Sequence, residues 1–283
     1  MVDILHNYLT RLDLSMNETH SLICVGLDPV ASKIPVTNVS EFNREIINST
    51  FEHVCAYKPN LAFYEAMGIE GLKHLEDTIK HIRARAPHAI IIGDGKRGDI
   101  ASTSHAYAQA MFDKWGFDAT TVNAYGGRES LLPFLDYEDK CVYVWCRSSN
   151  PGAVEFQDLL VRDNTNSEIK LFEKIAQNVT KWESKAMIGL VAGASYIDEL
   201  ERLRKLAPQA QILTPGIGAQ GGDLESVIKF GINDLGRGLM INSSRSILYA
   251  SGSAVSYGKA ANLAVSKLKD DINQVLCENG FQW

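Results

Sequence analysis

Two lysines and three carboxylates stand where this sequence turns abruptly from apolar to polar. The run Asp94-Gly95-Lys96-Arg97-Gly98-Asp99-Ile100 follows Ile90-Ile91-Ile92 almost directly, and two earlier apolar runs end in Asp28 and in Lys58-Pro59-Asn60. Lys96 lies between Asp94 and Asp99, and two carboxylates held close to it would favour its ammonium form. An ammonium so held is a proton donor and a fixed positive charge rather than a nucleophile, which disfavours Schiff-base chemistry. Fixed charges of both signs suit a reaction in which negative charge develops on carbon and is then quenched by a proton. Taken singly, each residue also has an ordinary structural explanation. A strand-terminal Asp caps the next turn, and a surface Lys–Asp pair contributes little.

The apolar runs that deliver these charges read as strands: 22–28, 54–60, 89–94, 119–123, 141–146, 187–193, 211–216 and 238–242. Most are continuous rather than alternating, as in parallel strands buried on both faces. Helical stripes lie between them: Leu72, Leu75, Ile79 and Ile82; Ile169, Phe172, Ile175 and Val179; Leu224, Val227 and Ile228; Leu268, Ile272 and Val275. Ile4, Leu5, Tyr8, Leu9 and Leu12 predict a short amphipathic helix ahead of the first strand. Strand–helix alternation over 283 residues predicts an α/β fold, a single (β/α)8 TIM barrel spanning 1–283, with a doubly wound open sheet as the alternative. The one long polar connection, 150–168, is either a variable surface loop or a lid at the catalytic face.

In a barrel the carboxyl ends of the strands converge, so Asp28, Lys58, Asn60, Asp94, Lys96 and Asp99 would share a rim with Arg147-Ser148-Ser149-Asn150 and Asn242-Ser243-Ser244-Arg245-Ser246. Gly216-Ile217-Gly218-Ala219-Gln220-Gly221 fits the GxGxxG pattern. The dinucleotide fingerprint, however, opens a first βα unit and expects an acidic residue about 20 positions on. Here the segment follows the seventh strand, and the eighth ends in Asn242-Ser243. A phosphate site fits better, because barrels bind phosphate with the loops after strands seven and eight. Gln220 and Arg245 would add donors there. Metal ligation is not expected. The seven histidines show neither HxH nor HExxH spacing, and only His105 is near the rim. Asp28, Asp94 and Asp99 could hold Mg²⁺ by residue type, but Lys58 and Lys96 already supply positive charge beside them.

A net charge of −6 argues against a nucleic-acid partner. No apolar run approaches a membrane span, and the first residues lack a signal peptide's basic and apolar regions. Five cysteines without a CxxC pair predict reduced thiols and a cytoplasmic protein.

These blocks together resemble the orotidine 5′-phosphate decarboxylases. Asp94-Gly95-Lys96-Arg97-Gly98-Asp99-Ile100 matches that family's Asp-x-Lys-x-x-Asp-Ile signature. The segments 26–29 (GLDP), 58–60 (KPN), 149–152 (SNPG), 214–223 (TPGIGAQGGD) and 243–247 (SSRSI) match its other blocks in order. KPN and CRSSNPG look like the branch found in some bacteria and protozoa. The resemblance implies a homodimeric barrel without cofactor or metal that converts orotidine 5′-monophosphate to uridine 5′-monophosphate. It implies that Lys96 protonates C6 within a network of Lys58, Asp94, Lys96 and Asp99, and that Asp99, Ile100 and Thr103 reach the neighbouring subunit's site. It further implies that Asp28 and Asn60 hold the ribose, Ser149 contacts the pyrimidine beside Pro215, and Gln220 and Arg245 take the phosphate. A Mg²⁺-dependent sugar-phosphate decarboxylase or aldolase on the same barrel, or a non-catalytic phosphate-ligand sensor, are the competing functions. Asn60 and the complete 214–223 block favour the nucleotide.

Overall fold

The computed structural model describes residues 7–163, 165–217 and 223–283. Its strands are β1 (Ile23–Leu27), β2 (Ala56–Pro59), β3 (Ile90–Arg97), β4 (Ala119–Val122), β5 (Cys141–Arg147), β6 (Leu160–Arg162), β7 (Glu168–Lys170), β8 (Met187–Ala192), β9 (Ile212–Pro215) and β10 (Leu239–Ser243). Eight of them close a barrel in chain order, β1-β2-β3-β4-β5-β8-β9-β10, and every neighbouring pair is parallel. The closing pair sets Ile23 against Ile241 and Cys24 against Asn242, which excludes the open sheet. These are the eight expected strands, with ends moved by up to three residues. The apolar runs are largely buried, throughout in β1 and β4, with Met187 and Ile188 of β8 and Trp145 of β5 partly exposed. Helices between the strands turn one stripe to the barrel: Leu75, Ile79 and Ile82 of the helix Gly68–Arg85 are buried, whereas Leu72 of the same stripe is exposed.

Three expectations change. The polar connection 150–168 contains β6, which pairs antiparallel with β7 as a small hairpin outside the barrel. Asp163 organises its turn, its Oδ1 accepting from the amides of Thr165 and Ser167. The strands are three residues each and incompletely buried, so they leave no apolar alternation to read. Ile169 consequently belongs to β7, opposite Val161, rather than to the helical stripe. The helix begins at Leu171, where Glu173 Oε2 accepts from the Lys170 amide at 2.7 Å. At the other end of the chain, the first helix runs Tyr8–Thr19 and is capped by Asn7, whose side chain accepts from the Leu9 amide. Its buried face is Tyr8, Leu12, Ser15, Met16 and Thr19; Leu9 points outward, and Ile4 and Leu5 lie outside the described residues.

That first helix covers the amino-terminal mouth of the barrel. Ser15 Oγ donates to the carbonyl of Cys55, the residue before β2, and Tyr8 Oη lies 3.0 Å from Tyr143 Oη of β5. Asp118, the residue before β4, is only 2% exposed. Its Oδ1 accepts from Arg11 of the first helix at 2.7 Å. Its Oδ2 accepts from Arg83 and from the Ile91 amide of β3, each at 2.8 Å. One carboxylate thus joins two helices to two strands at the end away from the proposed rim. The Asp118→Ala variant should lose about 2–3 kcal/mol of stability, since it strands a buried amide and two guanidinium partners. Urea denaturation monitored by circular dichroism measures the loss.

Candidate active site

Register brings the charges together. β2 and β3 pair through Ala56 with Ile90 and Tyr57 with Ile91, and a further bridge joins Asn60 to Asp94. Lys58 and Asp94 therefore emerge side by side at the carboxyl ends of their strands, and both are buried, at 4% and 6% exposure. Lys58 Nζ donates to Asp94 Oδ2 at 2.7 Å, and Lys96 Nζ donates to Asp94 Oδ1 at 2.7 Å. Asp28 Oδ1, from the end of β1, lies 4.0 Å from Lys58 Nζ. Burial opposes the charge on Lys58, but Asp94 and Asp28 outweigh it and hold its pKa above the ordinary lysine value. Burial likewise opposes ionisation of Asp94, but Lys58 and Lys96 hold its carboxyl well below the usual carboxylate range.

β3 does not reach this arrangement as a regular strand. Gly93 pairs with Thr120 and Arg97 with Val122, so four steps on β3 span two on β4. Asp94, Gly95 and Lys96 bulge out opposite Thr121. Lys96 sits at φ +45°, in the left-handed region that costs a non-glycine residue on the order of 1–3 kcal/mol. Thr121 Oγ1 donates to Asp94 Oδ1 at 2.7 Å and accepts from the Lys96 amide at 3.0 Å. Asn123 Nδ2 donates to the Lys96 carbonyl at 2.9 Å.

The network forms the inner end of a cleft. A cavity of about 360 Å³ is lined by Lys58, Asp94, Lys96, Trp145, Ser149 and Pro215, among others. A second cavity of about 540 Å³ shares Asp28, Asn60, Asn150, Pro215 and Asn242 with it, and reaches Lys33, Ser244, Arg245 and Tyr249. The two are parts of one elongated site with a charged network at one end and a cation at the other. Arg245 is exposed, and its guanidinium makes no hydrogen bond or ion pair with the described residues. Asn60 Oδ1 is used in capping the helix Leu61–Glu65, where it accepts from the Ala62 amide, so its NH₂ group is what it has to offer the cleft. Asp28 Oδ1, Asn242 Oδ1 and Ser244 Oγ are buried without a hydrogen-bond partner among the described residues. Asp28, Asn242 and Ser244 give the middle of the cleft a polar wall.

Of the predicted residues, the single chain brings Asp28, Lys58, Asn60, Asp94, Lys96, Ser149, Pro215 and Arg245 into this cleft. Gln220 lies outside the described residues. Asp99, Ile100 and Thr103 do not line it. The Asp99 side chain accepts from the Ile100 amide at 2.6 Å, and Ile100 is 76% exposed at the start of the helix Ala101–Gln109. Within one chain Lys96 is therefore held by one carboxylate, not two, because the chain turns away after Arg97 to begin that helix. Asp28, Asp94 and Asp99 do not form a cluster of metal-ligand type among the described residues. His105 belongs to a different and larger cavity, of about 820 Å³, with Arg128 and Lys185.

Thr121 and Trp145 were not singled out from the sequence, whereas Arg147, Asn242 and Ser244 were placed on the rim without a role of their own. Arg147, at the end of β5, is 1% exposed and lines the cleft. It lies 3.3 Å from Asp158 and 3.7 Å from Glu199, and its guanidinium sits over the Tyr196 ring. Gln157 Oε1 accepts from the Ser148 amide and from Arg147, so the segment carrying β6 is fastened beside Ser149. For Thr121 and Arg147 the only available signal was a polar residue near a strand end, since the partners that give them meaning, Asp94 and Lys96 for one and Glu199 for the other, are remote in sequence.

A family model described as orotidine 5′-phosphate decarboxylase / HUMPS family matches residues 21–260. The chain is 44% identical over 268 residues to an orotidine 5′-phosphate decarboxylase of Dehalococcoides mccartyi, an alignment covering 94% of this chain and 97% of that one. Among solved structures, UMP synthase of Leishmania donovani aligns with 95% of this chain at 36% identity and a TM-score of 0.85; this chain spans 56% of that one. OMP decarboxylase of Leishmania donovani aligns with 95% of this chain and 98% of its own, at 34% identity and a TM-score of 0.82.

The depressed pKa of Asp94 sets a pH window. Its stabilising effect is fully present above the unfolded carboxyl value of about 4 and is lost as pH falls through the lower folded value. The Asp94→Asn variant should be about 3 kcal/mol less stable than wild type, having left a buried lysine poorly paired. That gap should hold from pH 7 to pH 5 and narrow only in more acidic solution. Urea midpoints measured along that pH series test it; a gap already closing above pH 5 contradicts a depressed Asp94.

Proposed function

Since the chain belongs to the orotidine 5′-phosphate decarboxylase / HUMPS family, we propose that it converts orotidine 5′-monophosphate to uridine 5′-monophosphate and carbon dioxide, the last step of pyrimidine nucleotide synthesis. The observation that carries this reading is the Lys58–Asp94–Lys96 chain at one end of a cleft whose other end offers Arg245. A nucleotide with its pyrimidine against the lysines and its phosphate at Arg245 fits that polarity.

In this reading the C6–carboxylate bond breaks, carbon dioxide departs, and the bonding pair stays on C6. Lys96 Nζ delivers a proton to that carbon. Asp94 holds the Lys96 ammonium in place, and Lys58 keeps Asp94 ionised. Electrostatic preorganisation of this kind stabilises charge as it develops and requires no metal or organic cofactor for the step. Asp28 and Asn60 bind the ribose, Ser149 and Pro215 border the pyrimidine, and Arg245 with Gln220 takes the phosphate. Support comes from the cleft-lining positions of all of these except Gln220.

The same reading pairs two copies of the chain, with Asp99, Ile100 and Thr103 serving the neighbouring cleft. Supporting it, none of the three lines its own cleft, and Ile100 presents apolar surface that a second copy would cover. We also place the reaction in the cytosol, supported by five free cysteines, four of them buried. No helix among the described residues is long and apolar enough to cross a membrane.

Turnover of orotidine 5′-monophosphate in the presence of EDTA is the direct test. Lys96→Ala should reduce it by several orders of magnitude while the folded variant still binds uridine 5′-monophosphate through the intact phosphate end. Near-normal turnover in that variant would refute the role of Lys96. Lys96→Ala and Asp99→Ala should each be nearly inactive alone. After subunit exchange, roughly half the dimers are mixed, and each has one site with both lesions and one with neither. Activity should therefore recover to about a quarter of wild type. No recovery, once mass spectrometry confirms exchange, would refute the shared site.

A further inference from the structure

We infer that Thr121 is a positioning residue of this decarboxylation, fixing through its hydroxyl both the backbone that carries Lys96 and the carboxylate that orients the Lys96 ammonium. The inference rests on the decarboxylase reading proposed above. Its basis is a pair of hydrogen bonds on one buried oxygen. Thr121 Oγ1 donates its single proton to Asp94 Oδ1 at 2.7 Å and accepts from the Lys96 amide at 3.0 Å. Lys96 Nζ donates to that same Asp94 oxygen at 2.7 Å. The hydroxyl therefore links the main chain of the proton donor to the acceptor of its side chain.

The bulge explains why such a link is needed. β3 leaves the regular ladder between Gly93 and Arg97, so the Lys96 amide has no strand partner, and Lys96 is held at φ +45°. A buried amide without a partner and a left-handed lysine would both favour relaxation toward an extended backbone. Relaxation would carry Nζ away from Asp94. The Thr121 hydroxyl satisfies the amide from one side, and Asn123 Nδ2 holds the Lys96 carbonyl from the other at 2.9 Å. The position of Thr121 is itself fixed by the barrel, because its neighbours Thr120 and Val122 pair with Val142 and Val144 of β5. Thr121 also lines the cleft beside Lys96 and Trp145, so the groups it sets are those nearest the reacting carbon.

Thr121→Val keeps the shape and deletes the hydroxyl, and Thr121→Ser keeps the hydroxyl and deletes the methyl. Each is compared with wild type for kcat and KM on orotidine 5′-monophosphate and for uridine 5′-monophosphate affinity by calorimetry. We expect Thr121→Val to lower kcat at least 30-fold while KM and product affinity stay within about threefold, since the phosphate and ribose contacts are untouched. Thr121→Ser should retain kcat within about threefold. Should Thr121→Val fail to bind product, Thr121→Ala replaces it as the hydroxyl-free variant, with the same expected loss. A wild-type chain that turns over, with a hydroxyl-free variant of unchanged kcat, overturns the inference alone. So does a Thr121→Ser variant as slow as Thr121→Val, because the methyl and not the hydroxyl would then matter. A wild-type chain that does not turn over overturns the decarboxylase reading, and this inference with it.

Discussion

The structure depends on one buried carboxylate placed between two ammonium groups. Asp94 and Lys58 are almost wholly removed from water, which by itself disfavours charge on both. Their mutual attraction, extended to Lys96 and Asp28, reverses that preference and keeps the charges in place. Ion pairs buried in this way are poor devices for stability, since well-packed apolar residues often do as well. Their value lies in a fixed field: no solvent need reorganise when charge appears nearby. The adjacent parallel strands β2 and β3 are what make the pair geometrically available, because their register delivers Lys58 and Asp94 to the same level of the barrel.

β4 supports this arrangement at both of its ends. Before it, Asp118 binds Arg11, Arg83 and the Ile91 amide, locking two helices and β3 to the amino-terminal side. At its far end, Thr121 and Asn123 take over the hydrogen bonds that the β3 bulge would otherwise leave unmade. Close packing enforces the approach: a Cβ on Gly93 would lie 2.4 Å from the Phe117 ring. Strain at Lys96 is thus confined to three residues and braced from a regular strand, a pattern common where backbone geometry serves a site.

The remaining side of the cleft is built from parts far apart in the chain. Arg147 of β5, with Lys170, faces Asp158 and Glu199, and Gln157 bonds the Ser148 amide. The polar excursion that carries β6 and β7 is therefore tied by charge to the lip of the cleft. Close approach matters on the opposite side too, where a Cβ on Gly26 would stand 2.9 Å from Ser244 Cβ. That contact lets β1 and β10 bring Asp28, Asn242 and Ser244 together as polar walls between the network and Arg245.

From sequence alone, eight apolar runs, most of them continuous, and their interleaved stripes determined an α/β fold of parallel strands, because strands buried on both faces are apolar along most of their length; the pairing of β1 with β10 decided for the closed barrel over the open sheet. The charged residues after those runs were legible as one site for the same reason: polar types at buried strand ends have few other places to go. The hairpin was not legible, since exposed three-residue strands impose no pattern. Nor was the pairing of Lys96. Spacing set it between Asp94 and Asp99, but the left-handed turn at Lys96 and the helix that follows send Asp99 outward, and only Asp94 remains within reach. The roles of Thr121 and Arg147 were likewise decided by tertiary structure. A hydroxyl or a guanidinium acquires its meaning from partners tens of residues away, and their approach is set by barrel closure rather than by local sequence.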